Sequence, residues 1–126
     1  MPSEGDHLAQ AHDNEVFTDF LVGRNETRFL GWAVTSIFYA AVHYGRAFLQ
    51  KQNGPAITSH PGFETHFLRF TRDASLYHLY RRLKDESERA RYDCARYNSA
   101  EVDELKQKYL IPFREALKQQ SAKPSP

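Results

Sequence analysis

Trp32–Gln50, WAVTSIFYAAVHYGRAFLQ, is apolar almost all the way round a helix and carries one narrow polar stripe. At about 100° per residue, Trp32, Thr35, Ser36, Tyr39, His43, Arg46 and Gln50 share roughly a third of the circumference. Ala33, Val34, Ile37, Phe38, Ala40, Ala41, Phe48 and Leu49 cover most of the remainder. A helix of this kind has to be buried. Its polar line then needs partners from other helices or from a ligand, because an unsatisfied buried polar group costs about 1–3 kcal/mol. The stretch therefore predicts both a central helix and the place where chemistry starts.

Working outward, helical periodicity dominates and no segment sustains the alternation of a strand, so the expected fold is all-α. A first helix from about Asp6 to Val22 sets Ala9, Val16 and Phe20 on one face with His12 beside them, and Gly23 marks its end. The central helix begins near Glu26 or Thr27, runs to about Lys51 and is broken by Asn53, Gly54 and Pro55. Thr58 or Ser59 can cap a short third helix, with Pro61 in its first turn. A fourth, from about Ala74 to Tyr92, stacks Leu76, Leu79, Tyr80, Leu83, Ser87 and Ala90 on one stripe, which leaves Ser87 polar in the middle of a core face. Asn98 with Glu101 reads as a capping box for a fifth helix whose inward face is Val102, Leu105, Tyr109, Phe113 and Ala116, and Pro112 predicts a kink in it. Residues 6–118 are expected to form one domain between a disordered start, 1–5, and a polar, proline-containing tail, 119–126.

Composition narrows the classes. The formal net charge of +1 argues against a generic nucleic-acid coat. Cations nevertheless outnumber anions between Arg69 and Arg96, where they interleave with Tyr77, Tyr80, Tyr92 and Tyr97, a composition that suits bases and phosphates as well as an ordinary helix surface. One cysteine, Cys94, excludes an intramolecular disulfide and a cysteine-rich zinc site, and points to a reducing, cytoplasmic setting. No histidine pair at metal-binding spacing is joined to a third ligand, so neither metal nor cofactor is expected. His43 and Arg46 inside the most apolar helix argue against a membrane span.

Three groups of residues, Trp32-Ala33-Val34-Thr35 with Phe38-Tyr39-Ala40-Ala41 and His43, then Ser59-His60, then Leu83, Ser87 and Ala90-Arg91-Tyr92, together resemble HEPN-domain proteins, the higher eukaryotes and prokaryotes nucleotide-binding family, in its small bacterial form. The resemblance spans about Asp6 to Leu117. It implies an antiparallel up-and-down bundle of four to five helices, a homodimer, and an RNA or nucleotide ligand. Many members are metal-independent ribonucleases of toxin-antitoxin or defence systems, whose signature is Arg, four to six residues, then His. The match to that signature here is Arg72 to His78, at the start of the fourth helix and of a looseness expected by chance. His43, His60 and Arg91 are therefore the catalytic candidates, an imidazole to move the proton of a 2′-hydroxyl or leaving oxygen and a guanidinium to stabilise charge at phosphorus. Arg46, Tyr39, Ser87, Tyr92 and Arg96 are the candidates for holding substrate or phosphate. Two readings of function stand side by side: an RNA-directed or nucleotide-binding protein with a cognate antitoxin as partner, and a non-catalytic helical module that binds a protein.

Overall fold

The computed structural model describes residues 2–52, 60–71 and 73–122, apart from the side chains of 60, 61, 70, 121 and 122. Among these residues there is no strand. The helices are α1 (Glu4–Arg24), α2 (Thr27–Lys51), α3 (His60–Thr71), α4 (Ala74–Tyr92), α5 (Ser99–Leu105) and α6 (Ile111–Ala122), with a π-helical segment (Lys106–Leu110) joining the last two. None is long and apolar enough to cross a membrane, among the described residues.

Local chemistry sets the boundaries. Ser3 and Asp6 form a capping box at the start of α1, so the helix begins at Glu4 rather than Asp6. The helix ends on Asn25 in the left-handed region (φ 52°) rather than at Gly23. Asp73 caps α4 by accepting from the Ser75 and Leu76 N–H groups. The Asn98–Glu101 capping box forms as its spacing predicts. At the other end α6 continues to Ala122, beyond the expected limit of 118. The proposed caps at Thr58 or Ser59, and the tail beyond 122, lie outside the described residues.

Pro112 lacks an N–H and cannot serve the carbonyl of Lys108, and the turn before it is π-helical, with the Ile111 N–H donating five residues back to the Lys106 carbonyl.

Contacts along the helices define the topology. Ser36 Oγ donates to the Asn14 carbonyl and His43 meets His7, so α1 and α2 run antiparallel. Gly31 lies against Ala90 and Phe38 against Tyr80, which makes α4 antiparallel to α2. Arg114 bonds Glu15 and Lys106 bonds Asp19, which returns the α5–α6 rod alongside α1. The result is an up-down-up-down bundle with the short α3 against one end of α2.

The core is aromatic. Phe63 and Tyr80 stand 5.2 Å apart between ring centroids, Phe67 and Phe113 5.5 Å, and Phe38 and Tyr80 5.6 Å. Gly45 is required here, since a Cβ at that position would sit 2.4 Å from the Phe63 ring.

One element is reversed relative to expectation. Ala9, Val16 and Phe20 do share a face of α1, with His12 beside them, but that face points outward; the buried residues are His7, Ala11, Glu15, Thr18 and Leu21. Polar ties add to the apolar burial of Ala11 and Leu21. Glu15 accepts from the Tyr44 hydroxyl and from Arg114 Nη1 at 3.0 Å, and Lys106 Nζ reaches Asp19 at 2.7 Å. Periodicity identifies which side chains share a face; it does not identify which face turns inward when the neighbouring helices offer buried hydroxyl and cationic groups as partners.

Candidate functional site

The N-terminal half of α2 and the C-terminal end of α4 diverge around a cavity of about 440 Å³, lined by Thr27, Arg28, Gly31, Trp32, Thr35, Ala90, Arg91, Tyr92, Cys94, Ala95 and Arg96. Its floor exists because Gly31 and Ala90 keep little bulk between the two helices. The wall after α4 is a fixed loop. Cys94 adopts φ 55°, which a non-glycine residue enters at a cost of about 1 kcal/mol or more. Two anchors hold this turn. The Ala95 N–H donates to the Arg89 carbonyl, and the buried Tyr97 hydroxyl lies 2.9 Å from Glu86 Oε2 and 3.1 Å from the Glu86 carbonyl. Burial, then the Glu86 carboxylate, pushes the Tyr97 phenol up to about 12, so it stays a neutral donor.

Three guanidinium groups and two rings line the opening. Arg91 Nη1 donates to the Tyr39 hydroxyl at 2.9 Å, and its guanidinium lies 5.7 Å from the Tyr39 ring centroid and 5.3 Å from that of Tyr92. The Arg91 Nε–H is buried without an acceptor among the described residues. Tyr92 is 74% exposed and Trp32 59%. Among the described residues none that lines the cavity is acidic, and Arg28 pairs with Glu26 beside it at 3.1 Å. The Thr35 hydroxyl is committed to the Gly31 carbonyl at 3.1 Å. The groove thus offers cationic charge and π-faces, which suits a phosphorylated, aromatic ligand held by stacking and ion pairing.

Of the predicted site residues, Tyr39, Arg91, Tyr92 and Arg96 come together at or beneath this groove. Ser87 does not belong to it. Its side chain is fully buried and its hydroxyl donates to the Lys84 carbonyl one turn back, a local bond that satisfies a polar residue on a core face. His43 is engaged elsewhere: its Nδ1 lies 3.0 Å from Nδ1 of His7 on α1. Burial first, then the nearby His7 and Arg46 charges, pulls the His43 imidazole down to about 4, and burial lowers His7 as well. Both rings are held neutral near pH 7. Arg46 is half-buried, with Nε lacking an acceptor among the described residues. The His60 side chain and Arg72 lie outside the described residues, and His78 is exposed beside the Tyr77 ring.

Sequence reasoning did not single out Thr27, Arg28 or Cys94. Trp32 and Thr35 were visible on the polar stripe, and Arg91, Tyr92 and Arg96 in the basic aromatic stretch. Only the antiparallel packing of α2 on α4 shows that these two signals describe one place. No family model, curated protein or solved structure matches this chain.

Proposed function

We propose that this chain is an RNA-directed or nucleotide-binding protein of the HEPN kind, acting in the cytoplasm as a homodimer within a toxin-antitoxin or defence system, and that the groove between α2 and α4 is where the nucleotide binds. The observation that carries this reading is the grouping of Trp32 and Tyr92 with Arg28, Arg91 and Arg96 around a cavity whose lining, among the described residues, holds no carboxylate. Stacking on such side chains contributes about 1–3 kcal/mol per base, and guanidinium groups hold the adjacent phosphates. Metal-independent ribonuclease activity is the enzymatic form of the same reading. Binding has the stronger support, because no histidine lines the groove among the described residues.

Trp32 is the only tryptophan and stands at the groove, so its fluorescence reports occupancy directly. Titration with a short unpaired RNA is expected to quench it, with affinity falling as salt rises. Arg91→Ala and Tyr92→Ala are each expected to weaken binding about tenfold or more. An unchanged spectrum at saturating RNA and low salt refutes the groove as the site. The enzymatic form is tested with total RNA in EDTA, where it requires 2′,3′-cyclic phosphate ends with the wild-type protein and none with a His43→Ala, Arg91→Ala double variant. Binding without cleavage leaves the protein as a nucleic-acid-binding module.

A further inference from the structure

The outward face of α1 carries a continuous apolar strip. Val16, Phe17 and Phe20 are 54%, 48% and 56% exposed, while the buried side of the same helix is largely polar. Single exposed apolar side chains are ordinary on a protein surface, but a clustered strip on an inverted helix is not.

Charge along the strip is polarised. Asp6 and Asp13 are exposed on the N-terminal side of the aromatic pair, and Arg24, which pairs with Glu26 at 3.1 Å and reaches back toward the Phe20 ring, is exposed on the C-terminal side. An antiparallel neighbour reverses that order. With the crossing point at Thr18 and Asp19, Phe17 meets Phe20 of the other helix, and Asp13 meets Arg24. A single helix thus carries both halves of a self-complementary, twofold interface. The two aspartates disfavour an anionic lipid surface, which is attracted by cations flanking an apolar face.

We propose that α1 is the surface on which two copies of this chain associate, antiparallel, through Phe17 and Phe20, with Asp13 of each copy facing Arg24 of the other. This assigns a surface to the dimer of the preceding section. It does not depend on the groove, which none of these four side chains lines.

Light scattering of the full chain after size exclusion, over a range of micromolar concentrations, tests it. The wild-type protein is expected at twice the chain mass of 14.6 kDa. Phe17→Asp with Phe20→Asp is expected at the single-chain mass with an unchanged circular dichroism spectrum, because both positions are exposed in the monomer, and with a melting temperature that no longer rises with protein concentration. Asp13→Arg is expected to weaken association about tenfold, since twofold symmetry repeats the repulsion. Adding Arg24→Asp to Asp13→Arg is expected to recover it. A wild-type protein that stays at the single-chain mass overturns the proposal, as does a dimer that survives the two phenylalanine changes. Failure of the paired charge reversal to restore association overturns the antiparallel arrangement. Trp32 fluorescence with RNA separates this from the groove reading: loss of the groove reading removes quenching and leaves the masses alone, whereas loss of this proposal alters the masses alone.

Discussion

At the scale of the residue, the stripe on α2 is where a polar pattern in the sequence acquires specific partners. His43 and His7 share a hydrogen bond between two Nδ1 atoms, so one ring donates and the other accepts, and both being charged would set two N–H groups face to face. Burial and the Arg46 charge act in the same direction, lowering both imidazoles below the ordinary 6.5. The unfolded chain therefore binds more protons than the folded one at pH values below 6.5 and above the folded value. Stability from this pair is full above pH 6.5 and declines as pH falls toward 4. Urea midpoints at pH 7, 5 and 4 should fall more steeply in the wild-type protein than in His43→Gln; parallel curves would show that the pair does not titrate this way. At neutral pH, His43→Ala is expected to cost about 1–2 kcal/mol by leaving His7 unpaired. The stripe itself was legible in the sequence. Its principal partner was not, because His7 is 36 residues away and nothing local marks it.

At the scale of the element, two helical glycines give opposite expectations. Gly45 lets α2 approach the Phe63 ring, which is locked between Phe67 and Tyr80. Gly45→Val should destabilise by about 2 kcal/mol through overpacking and lower the melting temperature. Gly23 has nothing within 4 Å of an added Cβ and no positive φ, so Gly23→Ala should stabilise by up to about 1 kcal/mol. Thermal melts of the two variants moving in the same direction would contradict this account of α2 packing. Elements were the most legible level. The bounds of α2 and α4 match those expected from hydrophobic periodicity, and the Asn98–Glu101 spacing marks the capping box of α5, because these signals act within a few residues. The π-helical segment before Pro112 was not legible, because a missing N–H marks a disturbed turn without saying which hydrogen-bond pattern the backbone adopts there.

At the scale of the whole molecule, the Glu15 carboxylate ties α1 to two other helices at once, since it gathers Tyr44 and Arg114 with Lys106 nearby. Burial and that carboxylate push the Tyr44 phenol up to about 12, so it remains the proton donor. Glu15→Ala strands a half-buried cation and a phenol, and is expected to cost about 3 kcal/mol. Hydrogen exchange should show α1 losing protection before α2 and α4; uniform loss would mean that α1 is not a separately tethered unit. The all-α class, the buried central helix and the clustering of basic and aromatic residues near Arg91 and Tyr92 were determined by the sequence alone, since periodicity, caps and composition are local properties. Tertiary structure alone decided which face of α1 turns inward, that Ser87 is spent on its own helix, and that Trp32 and Arg28 join Arg91, Tyr92 and Arg96 in one groove. Each of these depends on a partner distant in sequence, and the free energy of burying or pairing a side chain is defined only once that partner is in place.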